Sequence, residues 1–406
     1  MAKVRLVSAR PLGRANLPMV DAVVAAMRPA DPLLCLRPAA IACAARRFVD
    51  RFPGDILYAV KCNPEPRVLR ALWAGGVRHF DCASLAEVGL VRKLLPAAEV
   101  HFMHPVKSRP AIREAFHRYG VTDFALDSAD ELAKILQETV PVGLVGDPAK
   151  LGLFVRLALP KGAAVYDLSG KFGAPLEEAV DLLRAARPHA ARLGISFHVG
   201  SQCLDPEAYV RAMALAGEAI ARCGVAIDIV DVGGGFPVGY PDMTPPPLGD
   251  YLAAIEAAAL ALPDNVQLWA EPGRALVAGG GSVVVQVQLR RGDALYVNDG
   301  VYGSLSDAGA LGFRFPARRI RLGETDDAEG FVEFMLFGPT CDSADRMRGP
   351  FRLPADMREG DWIELGQLGA YGGCLRTGFN GFGKAEIVEV ADPPMLMTLG
   401  YGEIAA

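Results

Sequence analysis

The stretch Ile56-Leu-Tyr-Ala-Val-Lys61-Cys-Asn-Pro-Glu-Pro66 joins an apolar run to a lysine and a turn broken by two prolines. The apolar residues predict a buried strand, and the prolines predict that the strand ends at the lysine. An ammonium group at the end of a buried strand must find a partner or lose its proton. A lysine made neutral by its surroundings is a nucleophile that can form a Schiff base. The plainer interpretation is a side chain that extends to water.

A regular alternation of strands and helices begins at this stretch. Strands are predicted at 56–60, 78–81, 99–102, 122–126, 152–157, 194–199, 227–231 and 266–270. Helical patterns precede or separate them at 39–49, 65–73, 84–94, 108–118, 128–138, 175–187, 205–223 and 247–261. Eight strands spaced by helices predict parallel βα units, and we expect them to close into a TIM-like (β/α)8 barrel of the α/β class.

The pattern changes after residue 275, where strands follow one another without long helices. They are predicted at Ser282–Leu289, Ala294–Val297, Phe331–Phe337, Asp361–Leu365 and Ala385–Val390. This succession predicts a mostly antiparallel β domain, to which a strand at Leu33–Leu36 can be added. We therefore divide the chain into a barrel domain over 37–274 and a β domain made of 1–36 and 275–406.

Composition limits the classes of partner. The chain has 406 residues, of which 51% are hydrophobic and 22% charged, and its net charge is −5. This length suits a large barrel plus a second unit with a sizeable core. Without a basic block, nucleic acid is not an expected partner. Without a long apolar run or a secretory pattern at the N-terminus, we expect no contact with membranes.

The cysteine and histidine patterns concern the cell compartment and metals. The eight cysteines are scattered and form no CxxC pair, which favours reduced thiols in a cytoplasm. His101 and His104 could form a metal pair, but no nearby Cys, Asp or Glu completes a ligand set. We therefore predict no metal site.

The carboxyl ends of the predicted barrel strands carry the polar residues of interest. A barrel places its active site at this end, often with a phosphate site after strands seven and eight. Strand seven ends in Asp231-Val-Gly-Gly-Gly-Phe-Pro237 and strand eight in Glu271-Pro-Gly-Arg274. Glycines let backbone N–H groups approach an anion, and an arginine adds a permanent charge. Lys61 and His198, at the ends of strands one and six, would face the same opening.

These residue types match what pyridoxal 5′-phosphate (PLP) requires of a protein. Its aldehyde needs a lysine, its phosphate needs N–H groups and an arginine, and its ring nitrogen needs a carboxylate. Glu271 is the candidate carboxylate. Plainer interpretations exist, since Glu271 could be a helix N-terminal acid near Arg274, and His198 a core histidine with satisfied hydrogen bonds.

Seven motifs between about Leu33 and Phe382 resemble those of one family. They are YAVKCNPEP at 58–66, FDCAS at 80–84, FHVGSQ at 197–202, DVGGGFP at 231–237, EPGR at 271–274, GPTCDSAD at 338–345 and GAY…FNGF at 369–382. In combination they resemble the group IV PLP-dependent decarboxylases of the alanine-racemase fold (fold type III). That family includes ornithine, lysine/ornithine and diaminopimelate decarboxylases.

The resemblance implies roles for the matched residues. Lys61 would be the Schiff-base lysine, with Asp81 and Glu87 around it. His198 would stack on the PLP ring, and Glu271 would pair with the pyridine nitrogen. The other residues implied to hold PLP are Arg156 near the cofactor and Ser201, Gly234, Gly235, Gly273, Arg274 and Tyr371 around the phosphate.

The resemblance also implies a homodimer with shared active sites. Cys341 and Asp342 would come from the partner subunit, and Lys171 and Asp345 match a pair that bridges subunits in the family. Loss of CO2 would leave a carbanion stabilised by the PLP ring, and Cys341 would protonate it. The plainer interpretation of Cys341 is a small buried hydrophobic residue.

The residue after Cys341 favours a cationic substrate. Family members that act on basic amino acids resemble Cys-Asp here, whereas diaminopimelate enzymes tend to show Cys-Glu-Ser. The Asp342 carboxylate can meet a distal ammonium group, and a partly desolvated pair of this kind discriminates strongly. Tyr302, Asp307 and Phe379 are the other candidate substrate contacts. We therefore expect ornithine or lysine to be converted to a diamine and CO2.

One departure from the family pattern concerns a second acid in the substrate pocket. Ornithine decarboxylases usually carry it some way past the tyrosine that corresponds to Tyr302, and here the position falls near Leu311. Asp307 can substitute from a shifted register, or the pocket is more apolar and suits another substrate. The alternatives are a diaminopimelate or other specialised amino-acid decarboxylase, a racemase, and a non-catalytic regulatory homologue.

Overall fold

The computed structural model describes residues 17–139, 151–162, 164–166, 168, 170–309, 311–323 and 330–395. The N-terminal hexapeptide Met1-Ala-Lys-Val-Arg-Leu, in which we found no secretory pattern, lies outside these ranges. Within them, no helix is both long and apolar enough to cross a membrane.

The described residues form strands and helices in a regular order. The strands are β1 (Leu33–Leu36), β2 (Gly54–Ala59), β3 (His79–Cys82), β4 (Glu99–Phe102), β5 (Asp123–Leu126), β6 (Gly152–Arg156), β7 (Ala164–Tyr166), β8 (Arg192–Ser196), β9 (Ser201–Cys203), β10 (Ile229–Asp231), β11 (Gln267–Ala270), β12 (Gly281–Arg291), β13 (Ala294–Val297), β14 (Ala317–Ile320), β15 (Phe331–Phe337), β16 (Arg346–Pro354), β17 (Trp362–Leu365) and β18 (Glu386–Glu389). The helices are α1 (Val20–Met27), α2 (Pro38–Val49), α3 (Pro66–Ala74), α4 (Leu85–Leu94), α5 (Arg109–His117), α6 (Ala129–Thr139), α7 (Leu176–Ala186), α8 (Glu207–Cys223), α9 (Leu248–Ala259) and α10 (Arg274–Val277).

Eight parallel strands close into a barrel in the order β10-β11-β2-β3-β4-β5-β6-β8. All eight predicted barrel strands are present, so the (β/α)8 prediction is confirmed. Their local sequences explain the helices between them. Ser84 and Ser108 accept hydrogen bonds from backbone N–H groups of the first turns of α4 and α5, and Pro66 occupies the first position of α3.

The second sheet is mostly antiparallel, as predicted, and follows the order β14-β17-β12-β13-β15-β16. Strand β1 joins it by pairing antiparallel with β12 and parallel with β18. The barrel strands are therefore preceded and followed in sequence by strands of this one sheet. The exact division at 37–274 stays a prediction.

Several elements were not predicted. Strand β14 has two adjacent arginines, so its sequence lacks the alternation of apolar and polar residues that predicts a strand. Arg318 pairs with Glu364 and Arg319 with Asp356. Strand β16 contains Pro350 and forms the edge of the sheet, where a strand tolerates proline. The short helix α1 and the small β7–β9 sheet also lacked a clear signal.

Aromatic side chains fill the interior of the barrel. Phe154 stacks on Trp269 with ring centroids 5.0 Å apart, and the edge of His101 meets the same indole at 4.9 Å. A polar chain adjoins this layer, because His101 Nδ1 lies 2.6 Å from Asp123 Oδ2 and His101 Nε2 lies 3.1 Å from His79 Nδ1. Among the described residues, no group of three or more His, Cys, Asp or Glu side chains could hold a metal ion.

Candidate active site

Lys61 lies just after β2, in a 3₁₀ turn over Val60–Cys62. Its Nζ atom is 2.9 Å from Oδ2 of Asp81, which ends up almost fully buried on β3. Burial lowers the pKa of Lys61, but the carboxylates of Asp81 and Glu271 outweigh this effect and raise it above the usual value. Of the two alternatives that the sequence left open, the structure therefore shows a charged lysine with a partner.

Two carboxyl groups lie near each other at the ends of neighbouring strands. Glu271 directly follows β11, and Asp231 is the last residue of β10. Desolvation raises the pKa of Glu271 well above its usual value, and the nearby charges of Asp231 and Asp81 act in the same direction. Burial also raises the pKa of Asp231 to about 6. A proton therefore resides on this pair near neutral pH, which suits an acid that must share a proton with a ring nitrogen.

The glycines after β10 form a close-fitting cradle. Gly235 has a φ of 106°, and a Cβ atom there would lie 2.4 Å from the carbonyl oxygen of Gly200. A Cβ atom on Gly234 would lie 2.6 Å from the Glu271 carbonyl oxygen and 3.1 Å from His198 Nε2. Glycine is therefore required at both positions, and the backbone stays open to a ligand.

Arg274, at the start of α10, is buried and held on several sides. Its Nη1 atom donates to the hydroxyl of Tyr240 at 2.7 Å, and its Nη2 atom lies 3.0 Å from Asp307 Oδ2. The rings of Phe313 and Tyr371 flank the guanidinium at 5.1 Å and 5.0 Å. The Nε atom has no hydrogen-bond partner. A buried donor of this kind needs an acceptor, and a phosphate oxygen can supply one.

Tyr371 brings the β domain to the barrel opening. Its N–H donates to the carbonyl oxygen of Cys62 at 3.0 Å, next to Lys61, while its ring covers Arg274. Its φ of 54° lies in the left-handed region, which is uncommon for a residue with a side chain. Both domains therefore build the predicted phosphate site.

His198 and Arg156 lie near Lys61, and the charges of Arg156 and Lys61 both act on His198. The Nδ1 atom of His198 accepts a hydrogen bond from the N–H of Gly200 at 3.0 Å. Burial, Arg156 and Lys61 lower the pKa of His198 well below its usual value, so the imidazole is neutral and its proton is on Nε2. Both residues line a cavity of about 410 Å³, and Ser201 begins strand β9 close by in sequence.

Two further sequence candidates have partners within their own chain. The Glu87 carboxylate accepts a hydrogen bond from the N–H of Ala83 at 2.7 Å. Asp345 is 2% exposed and accepts hydrogen bonds from the backbones of Val301 and Thr340 and from the Thr340 hydroxyl. The Asp345 carboxylate, which was expected to bridge to Lys171 of another subunit, therefore already accepts three hydrogen bonds within its own chain.

A second group of candidates lies on the surface of the β domain. Cys341 is exposed, and its N–H donates to the side chain of Asn380 at 3.0 Å. The Tyr302 hydroxyl donates to Asp342 Oδ2, and this bond lowers the pKa of Asp342. The ring of Phe379 lies 5.0 Å from that of Tyr302. The structure brings these four residues together in a surface cluster, in which Cys341 and Phe379 are exposed and Tyr302 and Asp342 are partly buried.

The sequence missed three contacts of the buried group. Tyr240 follows the glycine stretch DVGGGFP but carries no recognisable signal of its own, and the sequence marks Asp231 only as the end of strand seven, without a chemical role. Asp307 had been expected to contact substrate, but the structure pairs it with Arg274. These contacts join loops that are far apart in the sequence, so no local sequence pattern predicts them.

The residues present fit PLP. A lysine, a proton-sharing carboxyl pair, a neutral imidazole, a glycine cradle and an arginine with an unpartnered Nε atom lie at one end of a barrel. Fold and site together define a barrel-type PLP enzyme. The chain belongs to the pyridoxal-dependent decarboxylases, because the family model for their pyridoxal-binding domain matches residues 39–278.

Individual relatives agree with this assignment. The ornithine decarboxylase of Neurospora crassa is 31% identical over 386 residues, which cover 84% of this chain and 77% of the relative. The arginine decarboxylase of Paramecium bursaria Chlorella virus, solved bound to agmatine, superposes with a TM-score of 0.80 at 28% identity and covers 91% of this chain and 99% of its own. The lysine/ornithine decarboxylase of Vibrio vulnificus, complexed with putrescine, superposes with a TM-score of 0.77 at 32% identity and covers 91% and 97%.

Proposed function

We propose that this PLP-dependent decarboxylase acts on a cationic L-amino acid, ornithine or lysine, and releases a diamine and CO2. The Asp342 carboxylate carries this proposal. It follows the Cys341 thiol directly, and its hydrogen bond from Tyr302 favours the ionised form. A fixed, ionised carboxylate beside the proton donor recognises a distal ammonium group.

PLP supplies an aldehyde for an amine and an electron-withdrawing ring. Lys61 provides the amine that holds the cofactor when no substrate is bound. Glu271, with its raised pKa, keeps a proton at the ring nitrogen. The neutral His198 adds no positive charge beside the ring, and Arg274 with the cradle around Gly235 binds the phosphate. The Cys341 thiol donates a proton to the substrate Cα atom after CO2 has left.

We infer that two subunits share each active site. Cys341 is exposed in the single chain, and so is the aromatic side chain of Phe379, of which 45% is accessible. A proton donor in a decarboxylase must be shielded from water, so a second copy that covers this cluster supplies what one chain lacks. The group IV PLP-dependent decarboxylases, which this chain resembles, form head-to-tail homodimers, and this supports the same inference.

The names of the relatives support the substrate class. The Neurospora crassa relative is an ornithine decarboxylase and the Vibrio vulnificus relative a lysine/ornithine decarboxylase. A diaminopimelate substrate is disfavoured, since Asp342 would repel its distal carboxylate. A regulatory role without catalysis is disfavoured because Lys61, Glu271 and Cys341 are all present. A cytoplasmic location is proposed from the eight free cysteines.

One observation favours a second candidate, a decarboxylase of a modified amino acid. The expected second acid falls near Leu311, which packs against the hydrophobic core, and Asp307 is committed to Arg274. The part of the pocket near Leu311 is then more apolar than ornithine requires. A substrate with a longer or partly capped side chain would suit it.

A substrate panel tests the proposal. PLP-loaded protein is offered L-ornithine, L-lysine, L-arginine, meso-diaminopimelate and carboxynorspermidine, and CO2 and the amine product are measured. We expect ornithine or lysine to be fastest, and Asp342→Asn to raise KM for that substrate by about tenfold or more. Cofactor capture without turnover of any of the five would overturn the substrate assignment but leave the PLP site intact.

A further inference from the structure

The Arg274 guanidinium already has a negatively charged partner in its own chain. Asp307 Oδ2 lies 3.0 Å from Nη2, and the two side chains are 9% and 6% exposed. Tyr240 binds the neighbouring Nη1 atom at 2.7 Å. The Tyr240 hydrogen bond and the charge contact with Asp307 together restrict the orientation of the guanidinium. Arg274 Nε and Asp307 Oδ2 both lack a hydrogen-bond partner, and Nε is left for a further acceptor.

This ion pair changes the charge that a phosphate meets. A PLP phosphate is a dianion near neutral pH, and an isolated buried arginine would attract it strongly. With Asp307 ionised, the Arg274 charge is largely neutralised before the phosphate arrives. The PLP phosphate and the Asp307 carboxylate must then share the Arg274 guanidinium in a buried site with little water.

We propose that Asp307 is a positioning residue and counter-charge for Arg274, which orients the guanidinium toward the PLP phosphate and at the same time weakens its hold on it. The cofactor is consequently exchangeable rather than permanently retained. The proposal depends on PLP binding, which family membership establishes, and not on the identity of the substrate.

The protonation of Asp307 makes a second, pH-dependent test of the proposal possible. Burial raises the pKa of Asp307 although Arg274 opposes this effect, and a phosphate dianion on the same guanidinium raises it further. The other titratable groups that face the pair are Tyr240, Tyr371, Cys62 and Cys374. Burial raises the pKa of Tyr240 and Cys62 to about 12 and that of Cys374 to about 11, and raises that of Tyr371 as well. These four groups stay protonated while Asp307 titrates.

The test measures binding rather than activity. The full-length chain is freed of cofactor and titrated calorimetrically with pyridoxine 5′-phosphate, which carries the ring and the phosphate but no aldehyde. Asp307→Asn keeps a hydrogen-bond acceptor near Arg274 but removes the charge. We expect it to bind this ligand about tenfold more tightly than the native chain at about pH 8, and to bind pyridoxine, which has no phosphate, equally well.

The pH profile separates charge from shape. Because burial raises the pKa of Asp307, this residue of the native chain takes up a proton at a higher pH than an ordinary aspartate as the solution is acidified, and it then comes to resemble asparagine. The affinity ratio between Asp307→Asn and the native chain should therefore narrow. A ratio that widens as the pH is lowered would overturn the proposal, and so would equal or weaker binding by the variant at about pH 8.

The matched control is Asp299→Asn, because Asp299 is an equally buried carboxylate that binds Arg376 at 2.7 Å in the same domain. It should leave the affinity for pyridoxine 5′-phosphate unchanged. Thermal melting shows whether each variant is folded. Should Asp307→Asn fail to fold, Asp307→Ser is measured in its place with the same expected gain in affinity, and an equal gain in Asp299→Asn would overturn the proposal.

Discussion

The Nζ atom of Lys61 and the Oδ2 atom of Asp81 lie 2.9 Å apart, and this ion pair keeps the cofactor lysine charged. Glu271 acts in the same direction on the pKa of Lys61 when its own carboxyl group is ionised. The lysine must lose its proton before it can attack the PLP aldehyde. The acids that stabilise the charged lysine therefore slow its capture of the cofactor.

Asp81→Asn should accelerate the capture of PLP by the cofactor-free chain. Because the variant lowers the pKa of Lys61, the neutral fraction at about pH 7 should rise about tenfold for each unit by which that pKa falls. Stopped-flow absorbance after mixing with PLP measures the rate. Asp21→Asn, at an exposed ion pair with Arg318, is the control. An unchanged rate and pH profile in Asp81→Asn would show that Asp81 does not set the charge of Lys61.

Lys61→Ala and Cys341→Ala should each abolish or severely reduce decarboxylation, yet complement each other when mixed. If subunits exchange at random and share their sites, half of the dimers are mixed and each has one native site, so about a quarter of native activity should return. Activity after verified subunit exchange is the measurement. Cys43→Ala, at a partly buried free thiol, should stay active on its own. Exchange without recovery would argue against a shared site.

Tyr302→Phe should weaken substrate binding without a comparable loss of kcat. The variant removes the hydroxyl that donates to Asp342 but keeps the ring contact with Phe379. Because that bond holds the Asp342 carboxylate in position, we expect KM for the cationic substrate to rise by about three to ten times when the bond is removed. Steady-state kinetics decide the matter. A fall in kcat at constant KM would place Tyr302 in the chemical step instead.

The contribution of His79 to protein stability should fall as the medium becomes acidic. Burial and the adjacent His101 lower the pKa of His79, and Arg192 acts in the same direction, while Asp55 and Glu99 oppose them. A histidine with a lowered pKa binds fewer protons in the folded chain than in the unfolded one. The contribution of His79 to the free energy of unfolding must then decrease as the pH falls below about 6.5, by at most about 1.4 kcal/mol per pH unit. Buried carboxyl groups whose pKa is raised, such as Glu271 and Asp231, act in the opposite direction.

Urea unfolding between about pH 8 and about pH 5 measures this dependence. Between about pH 6.5 and about pH 5, His79→Asn should lose less stability than the native chain, because it lacks the His79 contribution. The contributions of His104 and His198 and of the buried carboxyl groups are the same in both proteins. His117→Asn, at an exposed position of α5, serves as the control. The same slope in His79→Asn and native protein would contradict the assignment to His79.

Gly234→Ala should impair cofactor retention. A methyl group there would meet the Glu271 carbonyl oxygen at 2.6 Å and His198 Nε2 at 3.1 Å, and overpacking of this kind costs about 1–3 kcal/mol. Dialysis of the holoenzyme followed by PLP quantification measures retention. Gly249→Ala, in α9 with no atom within 4 Å of the added methyl group, should behave like the native protein. Full PLP retention in Gly234→Ala would mean that the cradle adjusts freely.

Local patterns in the sequence predicted the barrel well because each βα unit repeats the same apolar strand and amphipathic helix. The strand before Lys61 was predicted at 56–60 and extends over Gly54–Ala59. The β domain was harder, since β14 depends on partners for its arginines and β16 is an edge strand with Pro350. Such strands are stabilised by neighbours remote in sequence rather than by their own pattern.

Prediction of the active site from sequence is limited in the same way, residue by residue. Lys61, Arg274 and the glycines were found from the sequence because strand ends and glycine turns mark them. The pairing of Asp307 with Arg274, 33 residues apart in the chain, could not be found, because it requires the β domain to be placed against the barrel. Whether a lysine is neutral or charged likewise depends on acids contributed by other strands.

Strand β1 is paired on both sides, with β12 and with β18, and this has a consequence for synthesis on the ribosome. Residues 33–36 leave the ribosome first but have no partner until residues near 281 follow, and their second side stays open until residues 386–389 emerge. The barrel strands, which all lie between residues 54 and 270, can assemble during this interval. A chain that stops before residue 386 would present β1 as an uncovered edge, and its nascent form would be prone to association with other chains.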